Sequence, residues 1–179
     1  MAKDIGKLFE KELEACFRIL KDQFLLGWHR LPDTGAAGGN IIQAQPSDYL
    51  LMLPPGSRVF GDGQRVVFLE AKASEKKGSL TRAAMQPSQR GAVALYSGVL
   101  RLPYLIFFYD AQDGALEVWE GVSVLGTGRM DPEHRLARFS NVGTGAKLNR
   151  DLLSTLLSCW LALPDRRVTL SDSDLTLQD

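Results

Sequence analysis

The sequence is poor in cysteine and histidine, carries no net charge and contains no long apolar run. Its two cysteines and two histidines show no paired spacing of the kind that a zinc site needs. Cys16 and Cys159 lie in apolar helical patterns, so we expect buried free thiols in a reducing compartment. The absence of a run of about 18 uncharged apolar residues excludes a membrane span, and the charged N-terminus lacks the apolar core of a signal peptide. We therefore expect a cytoplasmic protein.

The charge balance argues against a surface that is uniformly basic. The 21 basic residues equal the 21 acidic residues in number, whereas proteins that bind nucleic acid non-specifically are usually rich in positive charge. The charges are nevertheless unevenly distributed. Residues 72–90 hold five bases and one acid, and residues 171–179 hold three acids and no base. A local basic patch could therefore contact phosphates while an acidic tail offsets the count.

Length and apolar periodicity predict one domain with an α/β fold. At 179 residues, of which 45% are hydrophobic, the chain is long enough for a single core. We predict a single domain over residues 1–170 and a flexible acidic tail over residues 171–179. The patterns predict a central mixed β-sheet flanked by helices, with helices over 4–26, 87–100 and 150–163, strands over 28–31, 41–45, 49–53, 58–60, 65–71, 104–109 and 116–120, and an irregular basic segment over 126–147.

Two acids and a lysine stand at the ends of two apolar runs near the middle of the chain. Asp48 precedes one run, and Glu70 and Lys72 end the run of residues 66–72. Because side chains alternate along a strand, Glu70 and Lys72 face the same side. Phosphodiester hydrolysis needs an activated water and a neutralised phosphate, and a divalent cation held by carboxylates meets both needs. Asp48, Glu70 and the Ala71 carbonyl are oxygen donors suited to Mg²⁺, and Lys72 could stabilise the developing charge.

These residues resemble the D…E-x-K signature of the PD-(D/E)xK nuclease superfamily. Pro46–Asp48 resembles a relaxed form of the "PD" half, and Glu70–Lys72 supplies E-x-K. Gln89 falls where the superfamily often places a glutamine, on the helix after the E-x-K strand. The resemblance implies a restriction-endonuclease-like nuclease core and a Mg²⁺ cofactor, for which Mn²⁺ could substitute.

Two further stretches are similar to Holliday-junction resolvases of the Hjc and RecU type. Residues 6–13 resemble their G-x-x-x-E-x-E-L opening helix, in which Glu10 stands where those families place a metal-binding glutamate. Residues 30–35 resemble their R-x-x-x-S-G loop, with Thr34 in place of serine. The resemblance implies that a homodimer cuts branched double-stranded DNA at four-way junctions. It implies a site with catalytic residues Asp48, Glu70, Lys72 and Gln89 and metal ligands Glu10, Asp48, Glu70 and Ala71.

Contacts to the DNA backbone are expected from polar and glycine-rich segments around this site. The candidates are Arg30, Thr34, Gly35, Lys76, Lys77 and Arg82. Plainer explanations stay open, because the lysines could be solvated, the loop could be a connector and Glu10 could be a polar helix-face residue. The alternative functions are another nuclease of the same superfamily, restriction-like or acting in repair, and a non-catalytic DNA-binding module on the same core.

Overall fold

A seven-stranded sheet lies at the centre of the protein, with helices on both of its faces. The computed structural model describes residues 4–32, 45–54, 66–127, 130–162 and 168–170. Its helices are α1 (Ile5–Asp22), α2 (Pro87–Val93, continued by a π-helix over Ala94–Val99) and α3 (Arg150–Ala162). Its strands are β1 (Gly27–Arg30), β2 (Tyr49–Met52), β3 (Val66–Ser74), β4 (Tyr104–Asp110), β5 (Ala115–Glu120), β6 (Arg135–Phe139), β7 (Gly143–Thr144), β8 (Lys147–Leu148) and β9 (Val168–Leu170).

The sheet is mixed, as the sequence predicts. Its strand order is β1–β2–β3–β4–β5–β6–β9. Strand β3 runs parallel to β4, and β6 runs parallel to β9, while the other neighbouring pairs are antiparallel. The short strands β7 and β8 form a separate hairpin. The prediction of an α/β fold with a central mixed sheet flanked by helices is confirmed.

Helix α1 begins at a capped N-terminus and ends before its apolar pattern does. The Asp4 carboxylate accepts hydrogen bonds from the backbone amides of Gly6 and Lys7 at 3.1 and 3.3 Å, which satisfies donors that the start of a helix leaves unpaired. The sequence predicts a helix as far as residue 26, but α1 ends at Asp22. The difference arises because Phe24 adopts a φ of 59°, outside the right-handed helical region.

The two faces of the sheet carry separate apolar cores. Helices α1 and α3 cover one face, the α1 face, where Leu69 of β3 is buried. Helix α2, its π-helical continuation and the 3₁₀ turn Gly121–Val124 cover the other face, the α2 face. Because side chains alternate along β3, its polar residues Glu70 and Lys72 belong to the α2 face. Glu70 and Lys72 therefore lie on a face of the sheet that is covered by α2 and the elements that follow it.

Strand β6 lies within the segment predicted to be irregular, so that prediction is wrong for residues 135–139. Arg135 and Arg138 of β6 both donate hydrogen bonds to the carboxylate of Glu117 on β5, at 3.0 and 2.7 Å. The alternation in β5 predicts a partly exposed strand, yet Glu117 is only 1% exposed. The two arginines lie in a strand beside a buried acid that accepts a hydrogen bond from each, and sequence periodicity does not show that pairing.

Other sequence predictions fall outside the described residues. They are the loop residues Thr34 and Gly35, the strand over 58–60, most of the strand over 41–45 and the tail over 171–179. Both cysteines are free thiols, and burial raises the pKa of Cys16 to about 12. None of the described helices is long and apolar enough to cross a membrane.

Candidate active site

Three of the predicted catalytic residues meet on the α2 face. Glu70 is 1% exposed, and its Oε1 accepts a hydrogen bond from Lys72 Nζ at 2.7 Å. The same oxygen accepts a hydrogen bond from Nε2 of Gln89, at the start of α2. The Gln89 amide is fixed in orientation because its own Oε1 accepts from the Gln86 backbone amide at 2.9 Å. The three side chains thus form one connected group around a buried carboxylate.

Asp48 lies beside this group, immediately before β2. The register of β2 and β3 sets Asp48 across from Glu70. Its Oδ2 accepts a hydrogen bond from the backbone amide of Ala71 at 2.8 Å. A side-chain oxygen therefore extends the row of backbone hydrogen bonds that joins β2 to β3. The structure therefore brings both predicted acids to the same end of the β2–β3 pair.

Tyr104 of β4 connects the segment before Asp48 to Glu70. Its hydroxyl donates to the Pro46 carbonyl at 2.7 Å and lies 3.5 Å from Glu70 Oε2. Burial raises the pKa of the Tyr104 hydroxyl above its ordinary value, so the group stays protonated and can donate. The sequence predicted Tyr104 only as part of an apolar strand. The hydroxyl shows that Tyr104 can form hydrogen bonds, but its partners are set by the order of the strands in the sheet, which the sequence does not show.

The Glu70 carboxyl holds its proton more tightly than an exposed glutamate does. Burial, followed by the neighbouring Asp48 carboxylate, raises the pKa of Glu70 from 4.5 to about 7, against the opposing effect of the Lys72 ammonium. The folded chain therefore keeps Glu70 largely protonated up to near-neutral pH when no cation is bound.

This shift predicts a pH-dependent stability that a Glu70→Gln variant should lose. Between pH 4.5 and about 7 the unfolded chain releases the Glu70 proton while the folded chain retains it. The folded state is therefore destabilised as the pH rises through this window, by about 3 kcal/mol in total. We expect urea unfolding in EDTA to show wild type losing stability relative to Glu70→Gln between pH 4.5 and pH 8. Parallel pH profiles for the two proteins would contradict the shift.

The donor set fits a hard divalent cation. Mg²⁺ prefers oxygen ligands and keeps several waters, so the carboxylates of Asp48 and Glu70 with the Ala71 carbonyl are enough from the protein. Within the described ranges, no group of three or more His, Cys, Asp or Glu side chains is arranged to hold a metal. The fold thus presents a pair of acids here, and the role of Glu10 as a third ligand stays a prediction.

Glu10 and Arg30, predicted as metal ligand and DNA contact, bind each other. Arg30 Nη2 lies 3.0 Å from Glu10 Oε2, and Arg30 Nη1 lies 2.8 Å from Glu14 Oε1. Arg30 pairs with Tyr49 in the strand register, and Tyr49 is buried beneath α1, so this group belongs to the α1 face. Glu14 was missed by sequence reasoning, although its spacing of four residues from Glu10 puts both acids on one side of the helix.

The other described DNA-contact candidates lie in the segment between β3 and α2. Lys77 Nζ is 2.8 Å from Asp113 Oδ1, and Lys76 lies in the exposed stretch that follows β3. Arg82 starts a 3₁₀ turn and lines a cavity on the α2 face. Their contacts with DNA stay predictions.

Comparison with solved structures gives a weak likeness to a protein of known function. No protein-family model matches the chain, and no curated protein matches it. Among solved structures the chain is similar to Hjc, a Holliday junction resolvase from the archaeal hyperthermophile Archaeoglobus fulgidus. The match covers 63% of this chain and 78% of Hjc, with a TM-score of 0.38 and 10% sequence identity. A likeness of that size leaves the function to be argued from the side chains themselves.

Proposed function

We propose that this chain is a Mg²⁺-dependent endodeoxyribonuclease that resolves four-way DNA junctions by hydrolysing phosphodiester bonds. The observation that carries the proposal is the buried Glu70 carboxylate, joined to Lys72 and Gln89 and set across from Asp48. An acid that is buried beside a second acid destabilises the fold when it ionises. Acids with such raised pKa values cluster at functional sites, where chemistry rather than stability explains them.

The residues of the site have separate roles in this reaction. Asp48 and Glu70 would hold the cation with the Ala71 carbonyl, and the bound cation would supply an activated water and positive charge at the phosphate. Lys72 keeps its ammonium 2.7 Å from Glu70 Oε1, where it can donate to a phosphate oxygen and stabilise the added negative charge. The water oxygen bonds to phosphorus, one ester P–O bond breaks, and the leaving oxygen takes up a proton.

Two residues near the Glu70 carboxylate contribute to the reaction by holding that carboxylate in place. The Gln89 amide donates to Oε1, and the Tyr104 hydroxyl lies 3.5 Å from Oε2. Both carboxylate oxygens therefore have a protein partner, which limits rotation of the group. We assign Gln89 and Tyr104 as positioning residues.

The choice of branched double-stranded DNA rests on the resemblance of residues 6–13 and 30–35 to junction resolvases. Resolution of a four-way junction requires cuts in two symmetrically placed strands. The described part of the chain presents one such site, so we propose a twofold homodimer, which is also the commonest symmetric assembly.

The test is a cleavage panel of four-way junction, flap and linear duplex substrates, each with Mg²⁺, Mn²⁺ or EDTA. We expect paired symmetric cuts in the junction with either metal, slower or no cutting of linear duplex, and no cutting in EDTA. Light scattering of the same preparation should give twice the chain mass of 19.7 kDa.

The panel also separates the alternatives. Equal cutting of linear duplex would remove the resolvase assignment and favour another nuclease. Junction binding without cleavage in either metal would favour a DNA-binding module in which Glu70 and Lys72 form only an ion pair.

A further inference from the structure

A cavity of about 360 Å³ lies on the α2 face, between the segment after β3 and the strands β5 and β6. Its polar lining includes Ser79, Thr81, Arg82 and Arg135, and its apolar lining includes Trp119 and Met130. We propose that this cavity binds the phosphate group of a nucleotide, whether the nucleotide is free or part of a nucleic-acid strand. The binding requires no metal and no cleavage, so it stands or falls separately from the proposed nuclease activity.

The register places the cavity on the same side of the sheet as the candidate active site. Glu70 of β3 pairs with Ile106, Ile106 pairs with Trp119, and Trp119 pairs with Arg135. Since neighbouring strands are about 4.8 Å apart, Trp119 lies roughly 10 Å and Arg135 roughly 14 Å from Glu70 along this row. A nucleic-acid strand bound at the candidate active site could therefore also reach the cavity.

The buried Glu117 carboxylate organises one wall of the cavity. Its Oε2 accepts hydrogen bonds from Ser79 Oγ at 2.5 Å and from Trp119 Nε1 at 2.9 Å. Its Oε1 accepts from Arg135 Nη1 at 3.0 Å and from Arg138 Nη1 at 2.7 Å. One carboxylate that is 1% exposed thus fixes a hydroxyl, an indole and a guanidinium of the lining. A wall held in this way is preorganised for a ligand.

The described lining of the cavity contains more basic than acidic side chains. Glu117 is shared by Arg135 and Arg138, and Arg138 also lies 3.8 Å from Asp113 Oδ2. The contact with Glu117 uses one of the five N–H donors of Arg135. Arg82 adds a second guanidinium to the lining. Among the described residues, the cavity lining therefore holds two guanidinium groups and two hydroxyls, while Glu117 lies behind the lining.

This chemistry suits a phosphate ester. Guanidinium groups bind phosphate oxygens through paired, charge-assisted hydrogen bonds, and the Thr81 hydroxyl offers a further donor. The volume lies at the lower end of the range for small-molecule sites, which fits one nucleotide. Trp119 and Met130 give the base and sugar an apolar surface to contact.

The experiment compares binding of dAMP, deoxyadenosine and a fluorescent 12-nucleotide single strand to the full chain in EDTA. The test variants are Arg82→Gln and Arg135→Gln. The matched control is Arg138→Gln, which removes another partner of Glu117 but does not line the cavity. We expect dAMP to bind, deoxyadenosine to bind at least tenfold more weakly, and each test variant to lose about tenfold in affinity. The control should change by less than about twofold.

The outcomes either support or overturn the proposal. Competition between dAMP and the single strand would identify a site that takes free nucleotides. Binding of the strand alone would identify a site for phosphodiesters. Either result supports the proposal. Equal binding of deoxyadenosine and dAMP would overturn the phosphate assignment. So would an Arg138→Gln loss as large as the Arg82→Gln loss, because the effect would then be general electrostatics. No binding of any probe by wild type would reject the site outright.

Discussion

Replacing Lys72 with alanine is expected to lower junction cleavage by about 10³-fold while leaving DNA binding within a few-fold of wild type. The ammonium lies 2.7 Å from Glu70 Oε1, so its removal takes away a positive side chain at the place where the phosphate is proposed to gain charge. The Asp48→Asn variant should lose a similar factor, because a neutral amide replaces one of the two proposed anionic ligands. Single-turnover cleavage of a labelled junction in Mg²⁺ measures both losses, and gel-shift binding in EDTA measures the affinity.

The matched control for these variants is Lys21→Ala. Lys21 is an exposed lysine in the last turn of α1 and has no part in the proposed site, so this variant should cleave like wild type. Unfolding midpoints within a few degrees of wild type would show that the losses are chemical rather than structural. Full activity in Lys72→Ala would remove the catalytic assignment, whatever the substrate.

Replacing Glu117 with alanine is expected to lower the free energy of unfolding by about 3 kcal/mol. The carboxylate accepts four hydrogen bonds within β5, β6 and the segment before α2. Its loss leaves two arginines without the acid that they share and leaves a void beneath them. The expected value sits at the low end for a broken buried ion pair, because the Arg135 and Arg138 side chains are 36% and 26% exposed. Urea unfolding at pH 7.5 measures the change.

Two control variants show how the loss of stability in Glu117→Ala should be interpreted. Glu117→Gln keeps the shape and one acceptor, so it should cost less, about 1–2 kcal/mol. Glu75→Ala removes an exposed acid from the segment after β3 and should change stability by less than about 0.5 kcal/mol. A Glu117→Ala loss below 1 kcal/mol would show that the two arginines find other partners or solvent at little cost.

Local sequence patterns were enough to locate the centre of the sheet. The apolar run that became β4 is uninterrupted over residues 104–109, and the run that became β3 starts with four apolar residues, as is typical of strands covered on both faces. The alternation rule put Glu70 and Lys72 on one face, and the structure joins them directly. Asp48 precedes β2 and Glu70 lies towards the end of β3, and the antiparallel pairing of these strands in the structure brings the two acids to the same end.

What the sequence could not supply depends on strand order and register. Strand β6 looked irregular because Arg135 and Arg138 carry charge, and their partner Glu117 is on another strand. Tyr104 could not be assigned because its hydroxyl meets Pro46, 58 residues earlier. Likewise, nothing in the sequence predicted that Arg30 would bind Glu10 and Glu14. Pairings between residues that are far apart in the sequence produce no periodic pattern in that sequence.

The Gln89 side chain has a consequence for how the molecule can move. Its amide oxygen binds the backbone amide at the start of α2, and its amide nitrogen binds Glu70. Neither bond survives a rotation of the amide, so fraying of this short helix and distortion of the acid pair become one event. Local unfolding free energies are normally lowest at helix ends. Here the first turn of α2 is also held by the hydrogen bond from Gln89 to Glu70 of the sheet. Opening of the first turn of α2 therefore also removes a partner of the Glu70 carboxylate.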